Sequence, residues 1–171
     1  MMRNEMSTDF NMINQFSVLP NDQNWSLYLE LIVEYICENW PSVLNEGSTK
    51  EAFYEIYKQE LMTRFQEGRR ILLLWKLGNE PIGIANIWVE ELNHVTNLQI
   101  AEFSVIKKYR KKGFGRFFVQ ALISIGKQEN VSRIVAEVDA GIEANFFWAK
   151  VLDGCLENKQ TGRNQYWAHI G

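Results

Sequence analysis

Six of the chain's eighteen basic residues, Lys107, Lys108, Arg110, Lys111, Lys112 and Arg116, fall within ten positions around Gly113 and Gly115. Glycines lack a Cβ and let backbone N–H groups crowd round a ligand. Where a helix follows them, its first turn leaves N–H groups unpaired and its dipole favours an anion. A pyrophosphate suits such a seat, with lysine and arginine side chains adding opposite charge at the rim. Two other readings compete. A charge run is ordinarily a solvated turn. A nucleic-acid patch would need a wider basic stripe to follow a phosphate backbone, and a chain of net charge −3 offers none outside this segment.

The phosphate-binding patterns separate on spacing. A dinucleotide fingerprint, G-x-G-x-x-G, fails at Phe118, three positions beyond Gly115, and no acidic ribose partner is evident. The P-loop pattern G-x-x-x-x-G-K-[ST] is absent. What the chain carries is Arg-x-x-Gly-x-Gly, at Arg110, Gly113 and Gly115. Alone, that spacing is weak, and its meaning depends on the elements around it.

Those elements follow from periodicity. Gln15 to Pro20 is read as a short first strand. From Trp25 the apolar residues Tyr28, Leu29, Ile32, Ile36 and Trp40 recur at helical spacing, with Asp22 or Asn24 as cap and Pro41 beyond the end. Ser48 and Glu51 have capping-box spacing ahead of a second stripe, Phe53, Ile56, Tyr57, Leu61 and Phe65, which stops at Gly68. These aromatics are read as core and groove lining. Arg70 to Leu77 and Ile82 to Glu90 form a hairpin about Gly78-Asn79-Glu80-Pro81. A third strand, Leu98 to Ile106, follows the polar link Glu91 to Asn97. The basic glycine segment then leads into a helix with Phe114, Phe117, Phe118, Ala121, Leu122 and Ile125 on one stripe. Next come a strand, Arg133 to Asp139, a helix, Ile142 to Leu152, and a closing hairpin of Gly154 to Lys159 and Gln165 to Ile170.

At 171 residues and 46% hydrophobic content, the chain is expected to form one domain over residues 1–171, with a polar leader over 1–14. No run approaches the roughly 18 apolar residues of a membrane span, and no secretory signal is recognisable, so the expected location is cytoplasmic. Cys37 and Cys155 stand far apart and are expected to stay reduced, and no metal site is expected.

With the elements in place, Ile100-Ala101-Glu102-Phe103-Ser104-Val105, then Tyr109-Arg110-Lys111-Lys112-Gly113-Phe114-Gly115, then Phe118 to Leu122, resembles the central motif of the GNAT N-acetyltransferase superfamily. That motif is a strand, [Arg/Gln]-x-x-Gly-x-[Gly/Ala] and an amphipathic helix. The element order resembles the family's from about Gln15 to Ile170.

The resemblance implies an α/β (α+β) fold, with a mixed, splayed central β-sheet flanked by helices and acetyl-CoA as co-substrate. The pantothenate arm would pair with the backbone near Phe103, Ser104 and Val105. The pyrophosphate would take N–H groups from Arg110, Lys111, Lys112, Gly113, Phe114, Gly115 and Arg116. Asn145 is a candidate polar contact from the later helix, or a capping amide. The implied reaction is acetyl transfer to a primary amine, with a small-molecule amine as acceptor, by direct attack in a ternary complex. A peptide or protein amine is the next acceptor, and an acyl-CoA-binding sensor is the alternative of another class. No nucleic-acid or membrane partner is expected, and a homodimer is left open.

Acetyl transfer needs a neutral amine, a polarised carbonyl and a proton for the departing thiolate. The backbone N–H of Val105 is a candidate to polarise the carbonyl. Glu102 is the first candidate for the base, since alternation puts it on one face with Ser104, opposite Phe103 and Val105. A structural or solvent-facing carboxylate is the competing reading. Glu90, Glu91 and His94 are further candidates to dress an acceptor mouth. The acid departs from the family pattern. Where many members carry a tyrosine, this chain has Trp148 or Ala149, so Tyr166 or water is left to supply the proton.

Overall fold

The computed structural model describes residues 10–44, 48–68, 70–158 and 160–170. The first nine residues of the expected leader, and Lys159 of the closing hairpin, lie outside them. The chain runs β1 (Ile13–Ser17), α1 (Trp25–Asn39), α2 (Lys50–Gln66), β2 (Arg70–Leu77), β3 (Glu80–Leu92), β4 (Val95–Val105), α3 (Phe114–Gln128), β5 (Arg133–Asp139), α4 (Ala144–Val151), β6 (Gly154–Asn158) and β7 (Arg163–His169). The strands form one seven-stranded sheet in the order β1-β2-β3-β4-β5-β7-β6. This is the α/β fold with a mixed sheet that the resemblance implied. It divides into two compact units, Met1–Asn86 with Glu102–Lys108, and Ile87–Ala101 with Tyr109–Gly171.

In the first unit, α1 turns Trp25, Tyr28, Leu29, Ile32, Val33 and Ile36 inward. They join Tyr57 and Leu61 of α2 and Leu72 and Leu74 of β2 in one apolar cluster. Burying side chains of this size, at roughly 1.5–3 kcal/mol each, holds the helices to the strands better than helix propensity does. β1 pairs antiparallel with β2 from Ile13↔Leu77 to Ser17↔Leu73. It therefore begins and ends earlier than Gln15 to Pro20. The cause is the turn after it, where Asn21 takes φ 66° and the Asp22 carboxylate accepts from the Leu19 N–H (2.8 Å) and the Asn24 N–H (2.7 Å).

The second helix starts one residue later than its capping-box reading. Thr49, not Ser48, is the N-cap, its Oγ1 accepting from the Ala52 N–H at 3.2 Å. Ile56 departs from its stripe too, at 59% exposure, so α2 buries only Tyr57 and Leu61. The polar link Glu91 to Asn97 is a tight hairpin instead. β3 runs to Leu92 and β4 starts at Val95, with Asn93 (φ 52°) and His94 (φ 62°) as the two turn residues. Successive left-handed residues make the turn whose twist matches that of the strands.

In the second unit, β4 runs parallel to β5 over Asn97↔Arg133 to Ile100↔Ala136. β5 pairs antiparallel with β7 along its whole length, and β6 pairs antiparallel with β7. Gly154 of β6 lies opposite Trp167 of β7. A Cβ added at Gly154 would stand 2.1 Å from Trp167 Cε2. Because an indole ring has little freedom to move aside, Gly154→Ala is expected to cost about 1–3 kcal/mol in chemical denaturation.

Candidate active site

The glycine segment is shaped by two left-handed residues. Lys111 takes φ 61° and Gly113 φ 91°, and Gly113 is the N-cap of α3 with no side-chain cap bond. A positive φ costs a non-glycine residue roughly 1–2 kcal/mol, which glycine avoids. Gly113 thus turns the backbone so that the first turn of a fifteen-residue helix opens at an exposed position. The helix is held from behind by Phe114, Phe118, Val119 and Leu122, all buried. Phe114 meets the ring of Tyr109 edge-on at 5.7 Å.

Lys107, Lys108, Arg110, Lys111, Lys112 and Arg116 all expose their side chains. Lys108 pairs with Glu80, and Lys111 stands 3.6 Å from the Glu143 carboxylate, with both side chains at least 84% exposed. Exposed pairs of this kind are worth about 0–1 kcal/mol, so an incoming anion can compete for them. Unpaired N–H groups at a helix start are a geometry that can receive an anion.

Glu102 belongs to the first unit and is half-buried on β4. Its Oε2 is out of contact with solvent. Burial raises the carboxyl pKa above its ordinary 4.5, and the Asn86 amide, Arg70, Arg64 and the Tyr57 hydroxyl offset part of that rise. The same neighbourhood acts on the tyrosines. Desolvation pushes Tyr57 and Tyr28 well above the ordinary phenol value, and the Glu102 charge pushes both further. Arg70, half-buried, is lowered chiefly by desolvation. A carboxylate whose charged form is made costly by burial holds an accepted proton more firmly, which is what a base for an ammonium group requires.

Asn86 and Tyr57 were not singled out for chemistry by sequence. Their signal is faint: Asn86 interrupts the apolar run from Ile82 to Val89, and Tyr57 is hidden in an ordinary helical stripe.

Tyr166 and Asn145 meet in the second unit. The Tyr166 hydroxyl donates to Asn145 Oδ1 at 2.9 Å, and Asn164 Nδ2 donates to the same oxygen at 2.8 Å. Asn145 Nδ2 in turn donates to the carbonyls of Asp139 (2.9 Å) and Ile142 (3.0 Å). The amide thus ties the start of α4 to the end of β5 and orients the phenol. Burial raises the Tyr166 pKa, as does the neighbouring Cys155 thiol, so the hydroxyl keeps its proton at neutral pH. Trp148, in the slot where many GNAT members carry tyrosine, is buried, and Ala149 is exposed.

Of the other site candidates, Ser104 is buried and Phe103 and Val105 are half-buried. Ser104 Oγ makes only a long contact, 3.5 Å, to the Val105 carbonyl. β4 continues five residues past Ile100, the last residue it pairs with β5. Glu90 accepts from Gln99 Nε2 at 2.8 Å, while Glu91 and His94 are exposed. Among the described residues, no three His, Cys, Asp or Glu side chains converge on a metal-sized point.

The model of the Acetyltransferase (GNAT) family matches residues 29–152, which include both Glu102 and the glycine segment. The chain belongs to the GNAT acetyltransferase family. Solved structures share its fold at low identity. One is a PaiA N-acetyltransferase from Thermoplasma acidophilum in complex with coenzyme A, 15% identical over 92% of this chain and 98% of that one, with a TM-score of 0.63. Another is an acetyltransferase from Salmonella typhimurium that modifies the N-terminal serine of ribosomal protein L7/L12, 15% identical over 94% and 96%, with a TM-score of 0.66. A third, RimL, an L7/L12 α-N-protein acetyltransferase in complex with coenzyme A, is 16% identical over 93% and 94%, with a TM-score of 0.64. No curated protein matches this GNAT chain by sequence. Among the described residues, no helix is long and apolar enough to cross a membrane.

Proposed function

We propose that this GNAT acetyltransferase acts as one domain, transferring an acetyl group from acetyl-CoA to a primary amine of a small molecule, by direct attack in a ternary complex. The observation that carries this reading is the carboxyl of Glu102, whose Oε2 is shut off from solvent and whose pKa burial raises. Acetyl-CoA supplies the acyl group and the thiol leaving group. The N–H groups from Arg110 to Arg116 hold its pyrophosphate, and Phe103, Ser104 and Val105 take the pantothenate arm. The left-handed turn at Gly113 supports the first assignment. β4's continuation past its ladder with β5 supports the second.

Glu102 accepts a proton from the acceptor's ammonium nitrogen, whose lone pair then forms the new C–N bond as the C–S bond breaks. Tyr166 is the protein's candidate to protonate the thiolate, with Asn145 orienting its hydroxyl. Because a thiolate leaves with little help, Tyr166→Phe is expected to lower kcat by no more than about 10²-fold, leaving acetyl-CoA affinity unchanged. An unchanged kcat would hand this role to water.

Trp148 in the usual tyrosine slot favours a second reading, a sensor that binds acyl-CoA and transfers slowly or not at all. Acetyl-CoA titration followed by thiol release with a panel of primary amines separates the two. Release with at least one amine supports the enzyme. Saturable binding with no release for any amine, including peptide N-termini, supports the sensor.

A further inference from the structure

The bonds around Asn145 fix which way its amide faces. Nδ2 donates to the Asp139 carbonyl at 2.9 Å and to the Ile142 carbonyl at 3.0 Å. Carbonyls only accept, so the atom that meets Tyr166 and Asn164, at 2.9 Å and 2.8 Å, must be the amide oxygen Oδ1. That oxygen is itself an acceptor, and the Tyr166 proton therefore lies on the line toward it. Once Tyr166 gives its proton to a thiolate, the phenolate oxygen faces a second acceptor with no hydrogen between them. Asn145 cannot relieve this by turning, because its N–H groups would abandon two backbone carbonyls. The phenolate needs a donor from elsewhere.

Asn164 is placed to be that donor. It stands two residues before Tyr166 on β7, a spacing that puts both side chains on one face of the strand. Its amide nitrogen and the Tyr166 hydroxyl converge on the same Asn145 oxygen. An NH2 group carries two N–H donors, so it can serve both Asn145 Oδ1 and the phenol oxygen. We propose that Asn164 is a positioning residue for acetyl transfer, holding Asn145 Oδ1 while Tyr166 is a phenol and donating to the Tyr166 oxygen when the proton leaves. This role rests on the reading of Tyr166 as the acid. In that step the Tyr166 O–H bond breaks, an S–H bond forms on coenzyme A, and the O–H electron pair stays on the Tyr166 oxygen. The electrostatics run the same way. Burial raises the Tyr166 pKa most, the Cys155 thiol opposite it on β6 raises it further, and Asn164 lowers it. A donor favours the charged form of an acid, so the Asn164 amide acts on the phenolate. Among the described residues, Cys155 is the titratable group that acts on Tyr166.

The test follows the Tyr166 13Cζ resonance against pH in tyrosine-labelled protein, assigned by its loss in Tyr166→Phe. Thiol release from acetyl-CoA with the panel of primary amines is measured alongside. Asn164→Leu, similar in size but without an N–H, is expected to raise the Tyr166 midpoint by about one pH unit and to lower kcat about tenfold, with KM for acetyl-CoA unchanged. Asn164→Asp keeps the shape and also lacks the N–H, so it should move the midpoint the same way and decides if Asn164→Leu does not fold. Added to Tyr166→Phe, Asn164→Leu should cost nothing further, because no phenolate is left to serve. A merely structural Asn164 would leave the midpoint in place and add its own loss to that of Tyr166→Phe, and either result overturns the proposal. An unmoved midpoint beside a slow Tyr166→Phe removes Asn164 and keeps Tyr166 as the acid. An unchanged kcat in Tyr166→Phe removes the acid itself, and the part of Asn164 with it. No release for any amine removes the reaction that both would serve.

Discussion

Glu102→Gln is expected to lower kcat for acetyl transfer by roughly 10²–10⁴-fold with little effect on acetyl-CoA affinity. Gln keeps the shape and cannot take the proton. The pH dependence should change with it. In the unaltered protein the rate rises as Glu102 ionises, at a pH above the ordinary 4.5 because burial raises its pKa, and that limb should vanish in the variant. Stability should move in the opposite sense to activity. A carboxyl whose folded pKa is raised contributes its full stability below the unfolded value, and loses it as pH climbs through the folded value. Near neutral pH, Glu102 is therefore a cost that the neutral amide avoids. Glu102→Gln should unfold at a higher temperature than the unaltered chain at pH 7, and the gap should close below pH 4.5. A less active but more heat-resistant protein is hard to explain if Glu102 is merely a structural carboxylate.

Gly113→Pro is expected to abolish measurable acetyl-CoA binding. Proline holds φ near −65° and has no N–H, whereas the turn needs φ 91° and a donor at the helix start. Hydrogen bonds to charged groups are worth about 1.5–3 kcal/mol each. Losing two of them through the displaced turn corresponds to roughly 10²–10⁴ in Kd. Gly113→Ala, which keeps the N–H and meets only the strain of the left-handed region, about 1–2 kcal/mol, should lose roughly tenfold. Isothermal titration with acetyl-CoA measures both, and cooperative thermal unfolding shows that the variants stay folded. Unchanged affinity in Gly113→Pro would remove the phosphate seat from this turn.

Periodicity made most of this fold legible. Each strand and helix expected from Gln15 onward exists, because apolar spacing decides which face an element can bury. The edges were less legible, for local reasons. Thr49 competes with Ser48 for the cap, and one residue shifts the helix start. Asn93 and His94 read as polar linker, yet both adopt left-handed conformations that close a tight hairpin. Among the site residues, the glycine turn announces itself because its chemistry is local: charge, glycine and helix start lie within one run of sequence. The surroundings of Glu102 are assembled from α2, β2, β3 and β4, and no spacing in the chain relates Tyr57 to Arg70, Asn86 and Glu102. Nor does the sequence reveal that Asn145 spends its amide on Asp139, Ile142, Asn164 and Tyr166.

The most direct test of Glu102 as the buried base is its own titration. The 13C carboxyl resonance of Glu102, assigned by its loss in Glu102→Gln, can be followed against pH and compared with the pH profile of kcat/KM for acetyl transfer. The expected result is a midpoint above 4.5 that coincides with the rising limb of the rate. A midpoint at or below 4.5, or a rate that rises at a pH where Glu102 does not titrate, would contradict it.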